Sequence, residues 1–157
     1  MINFLNIIIG PSLMIIGGIV TWIIKSKIEE LQAIEKSLLD ERRKIYYDLL
    51  SPYIEIFAIE GNKEKAMKDM LSTEYRKTSF NLNLIGSDNV VNAYNEMMQY
   101  TFKTEKLENT DPKQLMILLA NFLLEIRKSL GNKKTTLNNI DMLKSMIKDI
   151  DKIENTN

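Results

Sequence analysis

The stretch FLNIIIGPSLMIIGGIVTWII, residues 4–24, contains no charged side chain, whereas all 21 basic and all 21 acidic residues of the chain follow it. With about 1.5 Å of rise per residue, a helix of this length reaches roughly 32 Å, which matches the hydrocarbon core of a bilayer at about 30 Å. The stretch therefore predicts one transmembrane helix over residues 4–24, preceded by a short extracytoplasmic N-terminus, residues 1–3.

The residues that flank this stretch predict whether it is cleaved and how it is oriented in the membrane. A cleaved secretory signal needs a positively charged start and a small-residue cleavage site, and neither is present. Lys25 and Lys27 follow the stretch and Trp22 lies at interfacial depth, so the positive-inside rule places the C-terminal region in the cytoplasm. We expect an uncleaved single-pass protein of a bacterial inner membrane, with the lipid bilayer as one partner.

One side of the predicted span carries small residues. Gly10, Met14, Gly17 and Thr21, here called the span stripe, follow one another at helical spacing. Small residues let two membrane helices approach closely, so the span stripe predicts a homo-oligomer. The alternative is that glycine is simply common in membrane helices.

Residues 25–60 are predicted to form a juxtamembrane amphipathic helix. Glu35 and Arg42 interrupt its heptad pattern, which favours either a helix packed on its own domain or a short, weak oligomeric stalk. Pro52 predicts a kink or a restart of the helix, with Ser51 as the cap of a new one. The apolar residues that keep the heptad spacing are Ile28, Leu31, Leu38, Ile45 and Leu49.

Residues 61–153 are predicted to form an antiparallel helical bundle, followed by a polar tail, residues 154–157. Helix breaks are marked by Gly61-Asn62, Gly86-Ser87, Asp111-Pro112 and Gly131, which are cap and turn residues. A last helix is expected to place Ile140, Leu143, Ile147 and Ile150 on one face. The fold class is therefore all-α, one transmembrane helix followed by a cytosolic bundle.

Residues 63–85 form the most ambiguous segment. Phe80, Leu82 and Leu84 alternate with asparagines over residues 78–85, as in a half-buried strand. A lone strand has no partner elsewhere in this chain, and Gly86 suits a helix C-terminus. We therefore predict helix throughout residues 63–85.

Composition limits the chemistry of this chain. It has no histidine and no cysteine, which excludes disulfides and thiol chemistry and removes the commonest metal ligand and general base. A net charge of zero argues against a nucleic-acid partner. We predict a protein that is not an enzyme, with no metal and no cofactor. The best polar cluster to test as a ligand site is Arg127, Thr136 and Asp141.

Two short motifs, GSDNVVNAYN at residues 86–95 and IRKSLG at residues 126–131, are followed by Thr136 and Asp141. Over roughly residues 40–150 the chain resembles a loose group of small, mostly uncharacterised bacterial proteins with one N-terminal transmembrane helix and a cytosolic helical region. In that group an acid is more usual where Ser129 stands here. Some members occur beside mobile-element or anti-phage genes, so the resemblance implies a role in phage defence or exclusion.

Two functions are consistent with these observations. The first is a membrane-tethered cytosolic helical module that binds a partner protein through the surface of the bundle. The second is a membrane-perturbing effector, in which the bundle senses a trigger and the span stripe oligomerises into a leak. A single span with one asparagine and one proline is poor pore-lining material, which favours the interaction module.

Overall fold

The computed structural model describes residues 2–58, 60–105, 111–148 and 150, with side chains from residue 17 onward except that of Glu105. The regular structure of these residues is entirely helical and they contain no strand, which confirms the all-α class. The helices are α1 (Ile2–Phe57), α2 (Lys63–Met70), α3 (Thr73–Ile85), α4 (Asp88–Glu105) and α5 (Pro112–Ser129), followed by a 3₁₀ helix (Ile140–Leu143).

Two compact units make up the chain, Met1–Asp40 and Glu41–Asn157, and helix α1 runs through the boundary between them. Every side chain from Gly17 to Ser37 is exposed. No helix in the described part of the chain has the length and hydropathy of a membrane span. The side chains of residues 4–16, which form most of the predicted span, lie outside the described ones, as does the predicted tail, residues 154–157.

The core of the second unit lies between the last turns of α1 and helices α3, α4 and α5. Helices α4 and α5 run antiparallel, because the Tyr100 hydroxyl near the end of α4 contacts Asp111 at the start of α5, while residues at the opposite ends share a cavity. This confirms the predicted antiparallel packing for α4 and α5. The largest fully buried side chains are Tyr46, Phe122, Leu49, Leu82, Met97, Leu143 and Val90.

Helix α1 continues through Pro52 to Phe57, so the predicted restart at Pro52 is wrong. Pro52 is buried. The predicted turn at Gly61-Asn62 is confirmed, because Asn62 caps α2 by accepting a hydrogen bond from the Lys65 N–H at 2.9 Å. A Cβ at Gly61 would lie 1.8 Å from the Glu55 carbonyl oxygen, so only glycine fits this close approach.

Residues 63–85 form two helices, not the single predicted one. Helix α2 ends before Leu71, and Ser72 starts α3 by accepting a hydrogen bond from the Tyr75 N–H at 3.1 Å. A serine at this position competes for backbone hydrogen bonds and favours a helix start over a helix interior. Residues 78–85 are helical as predicted, and the strand alternative is wrong.

The predicted caps of α5 are confirmed at both ends. The Asp111 side chain accepts a hydrogen bond from the Lys113 N–H at 2.9 Å, with Pro112 in the first turn. At the other end Gly131 has φ of 111°, a backbone conformation that favours glycine. The N–H groups of Gly131 and Asn132 bond the carbonyls of Lys128 and Arg127, both at 3.2 Å, which is the Schellman pattern.

The predicted last helix is wrong in type, although its apolar face is correct. The chain forms a 3₁₀ helix over Ile140–Leu143 and then turns. Asn138 and Asp141 exchange two side chain to backbone hydrogen bonds, at 2.9 and 2.8 Å, and these local bonds compete with α-helical ones. Leu143 and Ile150 are nevertheless buried in the core.

Leu82 and Leu84 provide a matched test of this helical register. Leu82 is fully buried, whereas Leu84 is 81% exposed. We expect Leu82→Ala to lower the free energy of unfolding by about 2–5 kcal/mol, because it leaves a cavity in the core. Leu84→Ala on the same helix should change it by less than about 0.5 kcal/mol.

The measurement is chemical denaturation followed by the near-ultraviolet circular dichroism of the buried tyrosines. Equal losses of stability in the two variants would contradict the helical register, because a strand would place both leucines on the same face.

Candidate functional site

The structure gives the C-terminal half of the span stripe. Gly17 and Thr21 are exposed, and the Thr21 hydroxyl donates a hydrogen bond to the Gly17 carbonyl at 2.8 Å. A Cβ at Gly17 would meet no atom within 4 Å. Gly10 and Met14 belong to helix α1, but their side chains lie outside the described ones. Oligomerisation through this stripe stays a prediction.

The described hydrogen bonds link the members of the predicted polar cluster to other residues. Arg127 Nε donates to the Thr135 hydroxyl at 3.1 Å, so Thr135 takes the place expected for Thr136, which is exposed. Asp141 pairs with Lys144 Nζ at 2.9 Å. The hydrogen bond from Lys144, and then that from the Asn138 N–H, lower the pKa of Asp141. These contacts shape the segment after α5.

The two motifs meet on helix α1 through Tyr46. The Tyr46 side chain is 1% exposed, and its hydroxyl lies 2.9 Å from the Ser129 hydroxyl in the second motif. The same oxygen accepts a hydrogen bond from the Ser87 N–H in the first motif at 3.3 Å. One turn earlier, Arg42 Nε donates to the Ile85 carbonyl at 2.6 Å. Segments far apart in sequence are therefore joined at one buried hydroxyl.

A polar cavity of about 420 Å³ lies at this junction, between the start of α4 and the end of α5. Both motifs contribute to it, which the sequence analysis did not anticipate. The antiparallel order of α4 and α5 brings the start of one motif beside the end of the other. The lining residues are Ser87, Asp88, Asn89, Glu125, Lys128, Ser129 and Lys133.

The cavity contains one ion pair with an unsatisfied oxygen. Glu125 Oε1 lies 2.6 Å from Lys128 Nζ, and the Glu125 side chain is 13% exposed. Glu125 Oε2 is buried and accepts no hydrogen bond from the residues that the structure describes. Leaving such an oxygen without a donor costs about 1–3 kcal/mol. The oxygen has almost no solvent-accessible surface.

A second cavity, of about 240 Å³, has a largely apolar lining. It involves Tyr46 and Tyr47 of α1, the α5 residues Ile126 and Leu130, and Met142 of the 3₁₀ helix. In the part of the chain that the structure describes, no three acidic side chains gather as a metal site would need. The first cavity presents hydrogen-bonding groups, and the second presents apolar surface.

A cluster of tyrosines fills the interior below this junction. The Tyr94 hydroxyl lies 2.7 Å from the Ser79 hydroxyl, and Tyr75 donates to the Leu49 carbonyl at 3.3 Å. Burial raises the pKa of Tyr53 to about 12, and the nearby Tyr94 adds to the effect. Burial also raises the pKa of Tyr75, and the nearby Tyr53 and Tyr94 add to the effect. The Tyr53 and Tyr75 hydroxyls therefore stay protonated at neutral pH, and Tyr75 serves as a structural hydrogen-bond donor.

The most exposed large apolar residues of the second unit lie on α2 and α3. Phe80 is 66% and Leu84 is 81% exposed, on the side of α3 opposite the buried Leu82. Met67 and Leu71 are 63% and 83% exposed. The sequence carried this signal, because residues four apart share a helix face while those two apart do not. We here call Phe80 and Leu84 the α3 apolar pair.

Comparison of the chain with models of protein families, with curated proteins and with solved structures finds no match. The functional assignment therefore depends on the geometry of the chain itself.

Tyr46 and its neighbour Tyr47 allow a matched test of the junction. We expect Tyr46→Phe to lower the free energy of unfolding by about 1–3 kcal/mol, because it removes a buried hydroxyl and leaves the Ser87 N–H unpaired. Tyr47 is 61% exposed, so Tyr47→Phe should stay within about 0.5 kcal/mol of the unmodified chain.

Chemical denaturation of both variants provides the measurement. If Tyr46→Phe proved as stable as Tyr47→Phe, the buried hydroxyl would have no role in joining the two motifs.

Proposed function

We propose that this protein is a membrane-tethered helical interaction module, anchored by residues 4–24, whose cytosolic bundle binds a partner protein through the α3 apolar pair. The observation that carries this proposal is the exposure of Phe80 and Leu84 on one side of a helix whose other side is in the core. The function is binding, not catalysis.

The tether is supported by the continuity of helix α1. This helix extends from Ile2 to Phe57 and so joins the uncharged stretch directly to the bundle. Its last turns supply Ile45, Tyr46 and Leu49 to the hydrophobic core.

The binding face is supported by its composition. Phe80 and Leu84 are flanked by the exposed amides of Asn81 and Asn83, and residues 78–85 contain no charged side chain. Protein interfaces commonly have apolar anchors at the centre, few charges there and a polar rim. Burial of a phenylalanine and a leucine contributes about 1.5–3 kcal/mol each. The partner that fits is a protein with an apolar pocket whose rim accommodates the exposed Arg76 and Lys77, one turn before Phe80.

The chemistry of the whole chain also favours binding. It contains no histidine and no cysteine, so the usual general base and the usual strong nucleophile are missing. The polar cavity brings hydroxyl and charged groups of both motifs together, which is consistent with a binding role. The resemblance of the two motifs to a bacterial group with anti-phage gene neighbours suggests phage defence or exclusion as the setting.

The anchor can be tested with lysines placed inside and outside the apolar stretch. We expect the double variant Ile15→Lys with Ile19→Lys to leave the carbonate-resistant membrane pellet, because each lysine costs about 2.5–3.5 kcal/mol at the centre of a span. The control, Ala33→Lys with Ser37→Lys, adds the same charge beyond the stretch and should stay in the pellet.

Fractionation of cells that express each full-length variant gives the result. Equal amounts of both variants in the soluble fraction, or an unmodified chain that is itself soluble, would refute the anchor.

The binding face can be tested by photo-cross-linking in cells that express the full chain. A benzophenone side chain in place of Phe80 should yield a discrete adduct with another protein, whereas the same group at exposed Gln99 of α4 should not. Leu84→Glu should reduce the Phe80 adduct at least about tenfold, because a charge in an apolar contact costs more than about 1.4 kcal/mol.

Mass spectrometry of the adduct decides the outcome. An adduct of Phe80 with a second copy of this chain or with lipid, or an adduct that Leu84→Glu leaves unchanged, would overturn the proposed partner. Membrane depolarisation on expression of the full chain, abolished by Gly17→Leu, would favour the membrane-perturbing effector instead.

A further inference from the structure

One heptad register runs along helix α1 from the apolar stretch towards the bundle. The span stripe advances in alternating steps of four and three residues and reaches Thr21. The same steps continue beyond the stretch, through Ile24, Ile28, Leu31, Glu35 and Leu38. Helix α1 is continuous over all of these residues. They therefore form a single seam, here called the α1 seam, with the register of a coiled coil.

Ile28 and Leu31, the first two seam residues past Lys25, are apolar and exposed. Ile28 is 48% and Leu31 is 65% exposed, and the third large apolar side chain of this region, Ile34 at 59%, adjoins them on the same side. The remaining sides of the helix are polar. They carry ion pairs of Lys25 with Glu29 and of Lys27 with Glu30, each within the helix. One apolar side of α1 is thus left facing solvent.

The register also shows where the seam ends. The next heptad positions are Arg42, Ile45 and Leu49. Ile45 and Leu49 are 6% and 0% exposed because they pack in the core of the bundle, and Arg42 bonds the Ile85 carbonyl. These positions are occupied by the chain itself. The part of the seam that the bundle core does not occupy therefore ends at Leu38, which is half-buried.

We propose that the α1 seam binds the α1 seam of a second copy of this chain in a parallel, in-register coiled coil that continues from the apolar stretch to Leu38. An exposed 3.5-residue apolar repeat is suited to burial against another helix with the same repeat. Ile28 at an a position and Leu31 at a d position are the combination that favours two parallel strands.

The parallel direction depends on the proposed function, since chains anchored in one membrane all point the same way. The small residues of the span stripe suit a close helix contact within a bilayer. Thr21 presents little polarity there, because its hydroxyl already bonds the Gly17 carbonyl of its own helix. The part of the seam within the apolar stretch and the part beyond Lys25 are therefore both suited to contact with the same second chain.

Glu35 is the one charged residue of the exposed seam. In a parallel pair the two Glu35 side chains occupy facing a positions, where like charges weaken association but in-register pairing is enforced by the apolar residues around them. Glu35→Leu should therefore strengthen the pairing. A role confined to the monomer gives no reason for such an effect.

The absence of cysteine from the chain makes disulfide cross-linking a clean test. Single variants Ile24→Cys, Ile28→Cys, Leu31→Cys and Leu38→Cys place a thiol on the seam. Ser26→Cys and Ala33→Cys place it on the opposite side of the helix. Each full-length variant is oxidised with copper phenanthroline in whole-cell lysate, before membranes and soluble protein are separated, and covalent dimer is measured over time in both fractions.

We expect seam positions to form dimer at least about ten times faster than the opposite side, because a disulfide needs Cα atoms within about 7 Å. Adding Glu35→Leu to Leu31→Cys should increase the rate further. Self-linking at both Ile24→Cys and Leu38→Cys is expected only for parallel chains, since in an antiparallel pair a single position meets itself.

Equal rates around the helix, dimer at one central position alone, or no dimer at all would each overturn the seam. The carbonate-resistant fraction of the same samples reports the anchor separately. A chain in the pellet without the periodic pattern refutes the seam and leaves the anchor standing. A chain in the soluble fraction with the pattern refutes the anchor and retains the pairing.

Discussion

The packing of the last turns of α1 into the bundle is the constraint on which the rest of the second unit depends. Tyr46 is almost fully buried there, and its hydroxyl reaches Ser129 and the Ser87 N–H at once. A buried hydroxyl is tolerated when it is hydrogen-bonded, and these two partners satisfy it. The polar cavity lies beside them, between the start of α4 and the end of α5.

Much of this fold could be predicted because it is decided by local chemistry. Asp111 with Pro112 and Gly131 mark the ends of α5 as capping preferences require. The break at Ser72 and the 3₁₀ helix after Asn139 were missed, because each depends on a side chain that competes with the helix for backbone hydrogen bonds. A single side chain shifts the balance between helical and local hydrogen bonds only slightly. The tertiary packing around it then decides which set of bonds forms.

The candidate site was less accessible from the sequence. The polar cluster around Arg127 was expected to include Thr136, yet Thr135 is the residue that bonds it, since a loop of a few residues can turn either hydroxyl inward. The convergence of two motifs at Tyr46 requires the arrangement of three helices, which no local pattern encodes. The α3 apolar pair was encoded, but the strand-like alternation around Leu82 obscured it.

Ion pairs and hydrogen bonds in this protein join residues at different separations along the sequence. Lys128 pairs with Glu125, and Lys144 with Asp141, each three residues away along the chain. By contrast, the bonds that join distant segments, such as that between the hydroxyls of Tyr46 and Ser129, involve uncharged acceptors. Dissolved ions screen attraction between exposed charges but have little effect on a buried contact between neutral groups. Salt would thus weaken ion pairs within individual helical turns, while the hydrogen bonds that join the helices persist.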